Sequence, residues 1–257
     1  MDSTPSNVYI TPKTYIEIYE QDNLDSIKEW PQIVTIFFSS HLFEMMASKS
    51  SNRKPVELAI SLGTPVRKLI SCSINQKRIW MLLLDLGAPL LGFFIEIFFE
   101  LGIKKLLLCT TAGGTNRLLV GGEIFILRNA YSQNGLTNLY YKDRVCFSST
   151  FDFSGLDMNI WKKFSIKEFD ALSTDGFFRE SYSLIETFRK KGVHVVEMEA
   201  ATAFAIAEYR NLEVGVIGYV ADLLIEKTWQ CLAKEESTRI AKERMCELVK
   251  ELISKSL

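Results

Sequence analysis

Between Gln32 and Asp222, short apolar runs rich in β-branched residues alternate with longer segments of helical length. That alternation restricts the chain to a wound α/β arrangement with a parallel or mixed central sheet flanked by helices. QIVTIFF (Gln32 to Phe38) and RIWMLLLDL (Arg78 to Leu86) read as buried strands. After Pro89, LLGFFIEIFFELG has helical length and a glycine stop at Gly102. KKLLLCTTAGG is a strand running into a glycine turn, and GGEIFILRNAY is one more strand. SLIETFRKKG reads as a helix ending at Gly192, VHVVEM as a strand, and EAATAFAIAEYRN as an alanine-rich helix. EVGVIGYVAD follows as a strand that stops at Asp222. Towards the C-terminus, Ile240, Met245, Leu248, Val249 and Leu252 recur at helical spacing, the mark of an amphipathic helix. No repeat or long linker divides the chain, so residues 1–257 are expected to form a single domain.

A sheet covered on both faces needs a large apolar inventory, and 47% hydrophobic against 24% charged residues supplies it. The net charge of −1 leaves no electrostatic footprint for nucleic acid or an anionic membrane. A small molecule or a protein is the expected partner. Ile79 to Leu101 is apolar enough to suggest a membrane span, but Asp85, Glu96 and Glu100 are costly in lipid, and Gly87 to Pro89 breaks the run. Cys72, Cys109, Cys146, Cys231 and Cys246 contain no C-x-x-C pair, which argues against zinc and against a compact disulfide framework. One or two disulfides stay open on this pattern. The start MDSTPSNVYITPK has neither the basic nor the apolar region of a signal peptide, and a soluble, cytoplasmic protein is expected.

In wound sheets ligands bind beyond the carboxyl ends of strands, and several polar motifs fall at such ends. Glu197 and Glu199, two apart in a strand, face one side and line one pocket, where a carboxylate accepts hydrogen bonds from a sugar diol. Capping of the following helix explains the same pair equally well. Asp222 reads either as a turn-former or as a general acid whose pKa an apolar pocket raises. Thr110 to Asn116 matches neither the dinucleotide nor the triphosphate glycine pattern, although Thr110, Thr111 and Gly113 offer an anion hydroxyls and backbone N–H groups. Phe177 or Phe178 either stacks on a planar base or belongs to the core. His41 and His194 lie near no nucleophile pattern, so neither a catalytic triad nor a metal site is expected.

Together these residues resemble the nucleoside phosphorylase family of the purine nucleoside phosphorylase, uridine phosphorylase and methylthioadenosine nucleosidase type. VVEMEAA is similar to the signature around the family's ribose-binding glutamate, which falls on Glu199, with Met198 against the sugar and Glu197 beside it. The spacing from Glu199 to Asp222 matches that from this glutamate to the acid that protonates a purine. TTAGGTN resembles the family's glycine turn, which brings Thr111, Ala112 and Gly113 to the nucleoside. LGAP (Leu86 to Pro89) resembles another family turn, and STDGFF resembles the segment that stacks on the base, at Phe177. The resemblance implies a three-layer phosphorylase/hydrolase-like α/β fold and cleavage of an N-glycosidic bond, with Asp222 and Glu199 catalytic. It also implies no cofactor besides phosphate as co-substrate, and homo-oligomers, either dimers or hexamers built as trimers of dimers. An acid at Asp222 favours a purine.

The chain departs from the family pattern at its phosphate end. The phosphate loop is replaced by Phe38-Ser39-Ser40-His41-Leu42, and the arginine before the glycine turn is replaced by Leu108. Thr111, His41 and Arg67 from a neighbouring subunit remain as phosphate donors, and Glu44 is the nearest counterpart of a nucleosidase's water-positioning acid. The leading expectation is a purine nucleoside phosphorylase acting in purine salvage. The alternatives are a nucleosidase that uses water and a non-catalytic nucleoside-binding or oligomer-partner homologue.

Overall fold

The computed structural model describes residues 8–19, 27, 30–56, 68–154 and 156–255. Elements follow the order α1 (Pro12–Tyr19), β1 (Ile33–Phe37), α2 (Ser40–Ser48), β2 (Ser51–Pro55), β3 (Lys68–Ile74), β4 (Lys77–Leu83), α3 (Ala88–Glu100) and β5 (Lys105–Gly114). There follow β6 (Ile124–Gln133), α4 (Thr137–Tyr140), β7 (Cys146–Ser148), α5 (Met158–Phe164), β8 (Lys167–Thr174), a 3-10 turn (Phe177–Arg179) and α6 (Tyr182–Lys190). The chain closes with β9 (Val195–Glu197), α7 (Ala200–Arg210), β10 (Glu213–Ile225), β11 (Thr228–Cys231) and α8 (Glu236–Lys255).

The described strands join in one mixed sheet of order β11-β10-β6-β8-β9-β5-β1-β4-β3-β2, with β7 on β6. Because β10 also pairs with β5, the strands β5, β9, β8, β6 and β10 close into a ring. Alternation along each strand builds three layers. Val34, Ile36, Leu106 and Leu108 pack with α3 and α7, while Ile33, Phe37, Leu107 and Cys109 pack with α2, α5 and α8. Both faces are covered, so strands such as β1 are apolar at nearly every position, as parallel central strands are.

Two sequence expectations need correction. β10 does not stop at Asp222. It continues to Ile225 and turns through Glu226 and Lys227, both at positive φ, into β11. Asp222 therefore lies inside the strand, beside a register shift between Val220 and Asp222 that its β5 partner does not share. Secondly, β9 ends at Glu197, and Glu199 sits at the cap position of α7, so the two glutamates do not share one strand face.

Among the described residues, no helix is long and apolar enough to cross a membrane, and all five cysteines are free.

Candidate active site

The ends of β5, β9 and the β10–β11 hairpin, with the 3-10 turn and α6, line a cavity of about 830 Å³, within the range of small-molecule sites. Glu197, Met198, Glu199, Thr111, Ala112, Gly113, Phe177 and Asp222 all line it. His41 does not line it; it is exposed in the first turn of α2. Arg67 lies outside the described residues.

The two glutamates do different work. Glu197 is buried, and its Oε2 accepts from the backbone N–H groups of Glu199 and Ala200, each at 2.8 Å. Its Oε1 accepts from the Ser173 hydroxyl, whose oxygen in turn accepts from the Ala201 N–H. The start of α7, which has no side-chain cap from Glu199, is thus capped by Glu197 and Ser173. The capping role falls on Glu197, which leaves Glu199 for the cavity.

Glu199 Oε1 accepts one hydrogen bond, from the Gly87 N–H at 2.9 Å. Gly87 has φ +126°, a conformation that glycine adopts without strain, and it directs its N–H at the carboxyl. Burial and the adjacent Glu197 charge push Glu199 up to about 8, against the pull of Gly87.

Asp222 faces Gly113 across the β10–β5 ladder. A Cβ at Gly113 would lie 2.5 Å from the Asp222 Oδ1 and 2.4 Å from Leu224, so glycine is what lets the carboxyl rest against β5. Burial raises the Asp222 pKa, and a hydrogen bond from the Trp229 side chain opposes the rise. Gly113→Ala is expected to push both side chains aside and lose about 1–3 kcal/mol of stability. A urea titration checks it; an unchanged midpoint would contradict this packing.

Sequence reading missed Glu180 and Trp229. Trp229 reaches Asp222 because the β10–β11 hairpin folds back, pairing Leu224 with Trp229. That depends on the turn at Glu226-Lys227, which carries none of the glycine or asparagine that marks such hairpins. Glu180 follows the 3-10 turn, and no periodicity leads to it. Behind Met198, Asn134 donates to Asp175 at 2.8 Å and to the Met198 carbonyl at 3.2 Å, fixing the loop that presents Met198. No cluster of metal-ligating side chains exists among the described residues.

A family model for the phosphorylase superfamily matches residues 34–254, nearly the whole chain. The chain belongs to the phosphorylase superfamily. Within that superfamily it is 23% identical over 154 residues to the guanosine phosphorylase of Halorubrum lacusprofundi, covering 58% of this chain and 63% of that protein. It is 26% identical over 181 residues to a DeoD-type purine nucleoside phosphorylase of Clostridium novyi, covering 68% and 76% respectively. The purine nucleoside phosphorylase of Toxoplasma gondii, solved in complex with immucillin-H, superposes with a TM-score of 0.74 at 16% identity. That superposition covers 87% of this chain and 90% of the other, and the likeness is one of fold.

Proposed function

We propose that this superfamily member binds a purine nucleoside in the cavity and cleaves its N-glycosidic bond. The observation that carries the proposal is that Glu199 and Asp222, from different elements, line one cavity together with Met198 and Phe177. Glu199 takes the ribose hydroxyls and supports positive charge as the sugar approaches an oxocarbenium ion. The Asp222 end supplies a proton to the departing base, and half-exposed Phe177 offers its ring to the base plane.

For the acceptor, the cavity's charges favour water. Glu180, Glu186, Glu197, Glu199, Asp222 and Glu226 line it against Arg117, Arg189 and Lys227. Arg189 is bonded to Glu186, and Arg117 lies 3.1 Å from Glu226. Leu108, at the family's arginine position, is fully buried in the core. Ser39, in the replaced phosphate loop, caps α2 by accepting from the Leu42 N–H. Glu44 is exposed and paired with Lys68 at 2.7 Å, so it does not reach the cavity to position water. Phosphate is the second reading, supported by the relatives named as phosphorylases.

Incubation with inosine, adenosine, methylthioadenosine and uridine, with and without phosphate, followed by chromatography, tests both. Free purine without phosphate is expected. Strict phosphate dependence would reverse the order of the two readings, and no release from any nucleoside would remove the enzymatic one. Asp222→Asn is expected to lose about 10²–10⁴-fold on purine nucleosides and much less on uridine. Equal losses would contradict a leaving-group role.

A further inference from the structure

Trp229 is the largest side chain that lines the cavity, and it stands 60% exposed on β11, a strand exposed at all four of its positions. It belongs to none of the apolar clusters that build the core. An indole that packs on no core and faces a cavity offers its surface to a planar partner.

The register of the hairpin fixes where that ring stands. Leu224 pairs with Trp229 and Asp222 pairs with Cys231, so these four side chains leave one face of the two-strand ribbon. Asp222 and Trp229 are diagonal neighbours on that face, a separation of about 7–8 Å that an aromatic side chain spans. The face is the one turned to the cavity. Asp222 and Leu224 both fill the space at Gly113 on the cavity wall, whereas the intervening Leu223 turns the other way, into the core against Gly114. The ribbon is tied along its length. The Leu232 N–H donates to the Ala221 carbonyl at 3.0 Å, the Thr228 hydroxyl donates to the Ile225 carbonyl at 2.8 Å, and Arg117 lies 3.1 Å from Glu226 at the turn.

We propose that Trp229 is a base-binding, specificity-determining residue: its indole is the surface on which a two-ring base lies while that base meets Asp222. A base that takes a proton from Asp222 comes within one side chain's length of the indole. A purine covers more of that ring than a pyrimidine does, so stacking here discriminates by base size. The inference rests on the proposed cleavage of a purine nucleoside and adds to Phe177 an aromatic contact carried on the acid's own hairpin. The indole N–H also donates to Asp222, so the test has to separate the ring from the donor.

Two measurements do so. The first follows tryptophan emission as inosine is added, with binding read independently by equilibrium dialysis. Trp30, Trp80 and Trp161 do not line the cavity. A saturable quench is therefore expected that disappears in Trp229→Phe, a variant that still binds inosine in dialysis. A quench that survives in Trp229→Phe, or bound inosine with unchanged emission in the unaltered protein, overturns the contact. The second compares variants. Trp229→Ala is expected to weaken inosine binding and lower kcat/KM by roughly tenfold to a hundredfold, the range for removing one stacked base contact. The loss falls mainly on KM, because a stacked base is held alike before and during bond cleavage. Trp229→Phe, which keeps a ring but no N–H, is expected to retain most of the affinity, and the ratio of inosine to uridine affinity is expected to narrow in Trp229→Ala. The melting temperature of Trp229→Ala should match that of the unaltered protein, since the indole supports no cluster. An unchanged inosine affinity, an unchanged ratio, or a loss that comes with a lowered melting temperature overturns the assignment. If inosine binds and quenches but is not cleaved, the cleavage reading fails and the base contact stands; if inosine does not bind, both fall.

Discussion

Glu199→Gln is expected to lower nucleoside cleavage by about 10²–10³-fold, the range for deleting one preorganised electrostatic contact to a transition state. The same change is expected to stabilise the empty protein at alkaline pH. Glutamine keeps an oxygen for the Gly87 N–H but cannot become an anion beside Glu197. Glu199 is raised to about 8 in the fold from an ordinary value of 4.5. Between those values the folded state binds more protons than the unfolded one, so stability falls as pH rises through that window. The wild-type melting temperature should therefore drop from pH 5 to pH 9 more steeply than that of Glu199→Gln. Calorimetry at both values, paired with the base-release assay, reads the two effects. A variant that loses activity and also loses stability at pH 9 would make Glu199 a structural residue and not a ligand group.

That opposition between function and stability explains which parts of the site are visible in sequence. Strand and helix placement could be read because the central strands are buried on both faces, which writes unbroken apolar runs into β1, β5 and β10. β8 is less visible: KEFDALST mixes charge with apolar residues because its first part is exposed. The β2–β3 pair is hidden for the same reason, since β2 is exposed throughout. The glutamate motif pointed to the right turn, but its division of labour was not legible. Only the short β9 and the Ser173 hydroxyl from β8 show that Glu197 faces the helix start and Glu199 faces Gly87. Glu180 reaches the cavity from a segment with no regular structure, a placement that no spacing along the chain encodes.

Removing Arg210 is expected to cost about 3–5 kcal/mol, the range for orphaning one member of a buried ion pair. Arg210 is at the last position of α7, and its Nε lies 2.9 Å from Glu96 Oε2 on α3, with both side chains largely buried. Glu96 Oε1 accepts from the Tyr140 hydroxyl at 2.7 Å, and the guanidinium lies over the rings of Phe99 and Tyr209. Arg210→Met keeps the length of the stem but leaves Glu96 charged in an apolar setting with a single neutral donor. Adding Glu96→Gln to that variant should restore much of the loss, because the burden lies in the orphaned charge and not in the missing attraction. The consequence reaches the cavity. The helix that Arg210 closes begins behind Glu199, and the helix that Glu96 belongs to begins behind Gly87, whose N–H meets the Glu199 carboxyl. The clamp at one end of the helix pair thus fixes the distance between donor and acid at the other. Arg210→Met should raise KM for nucleoside before it unfolds the chain, and the double variant should recover both. A denaturation midpoint shifted by less than about 1 kcal/mol in the single variant would mean that this pair behaves as a surface pair and that α3 and α7 are held by apolar packing instead.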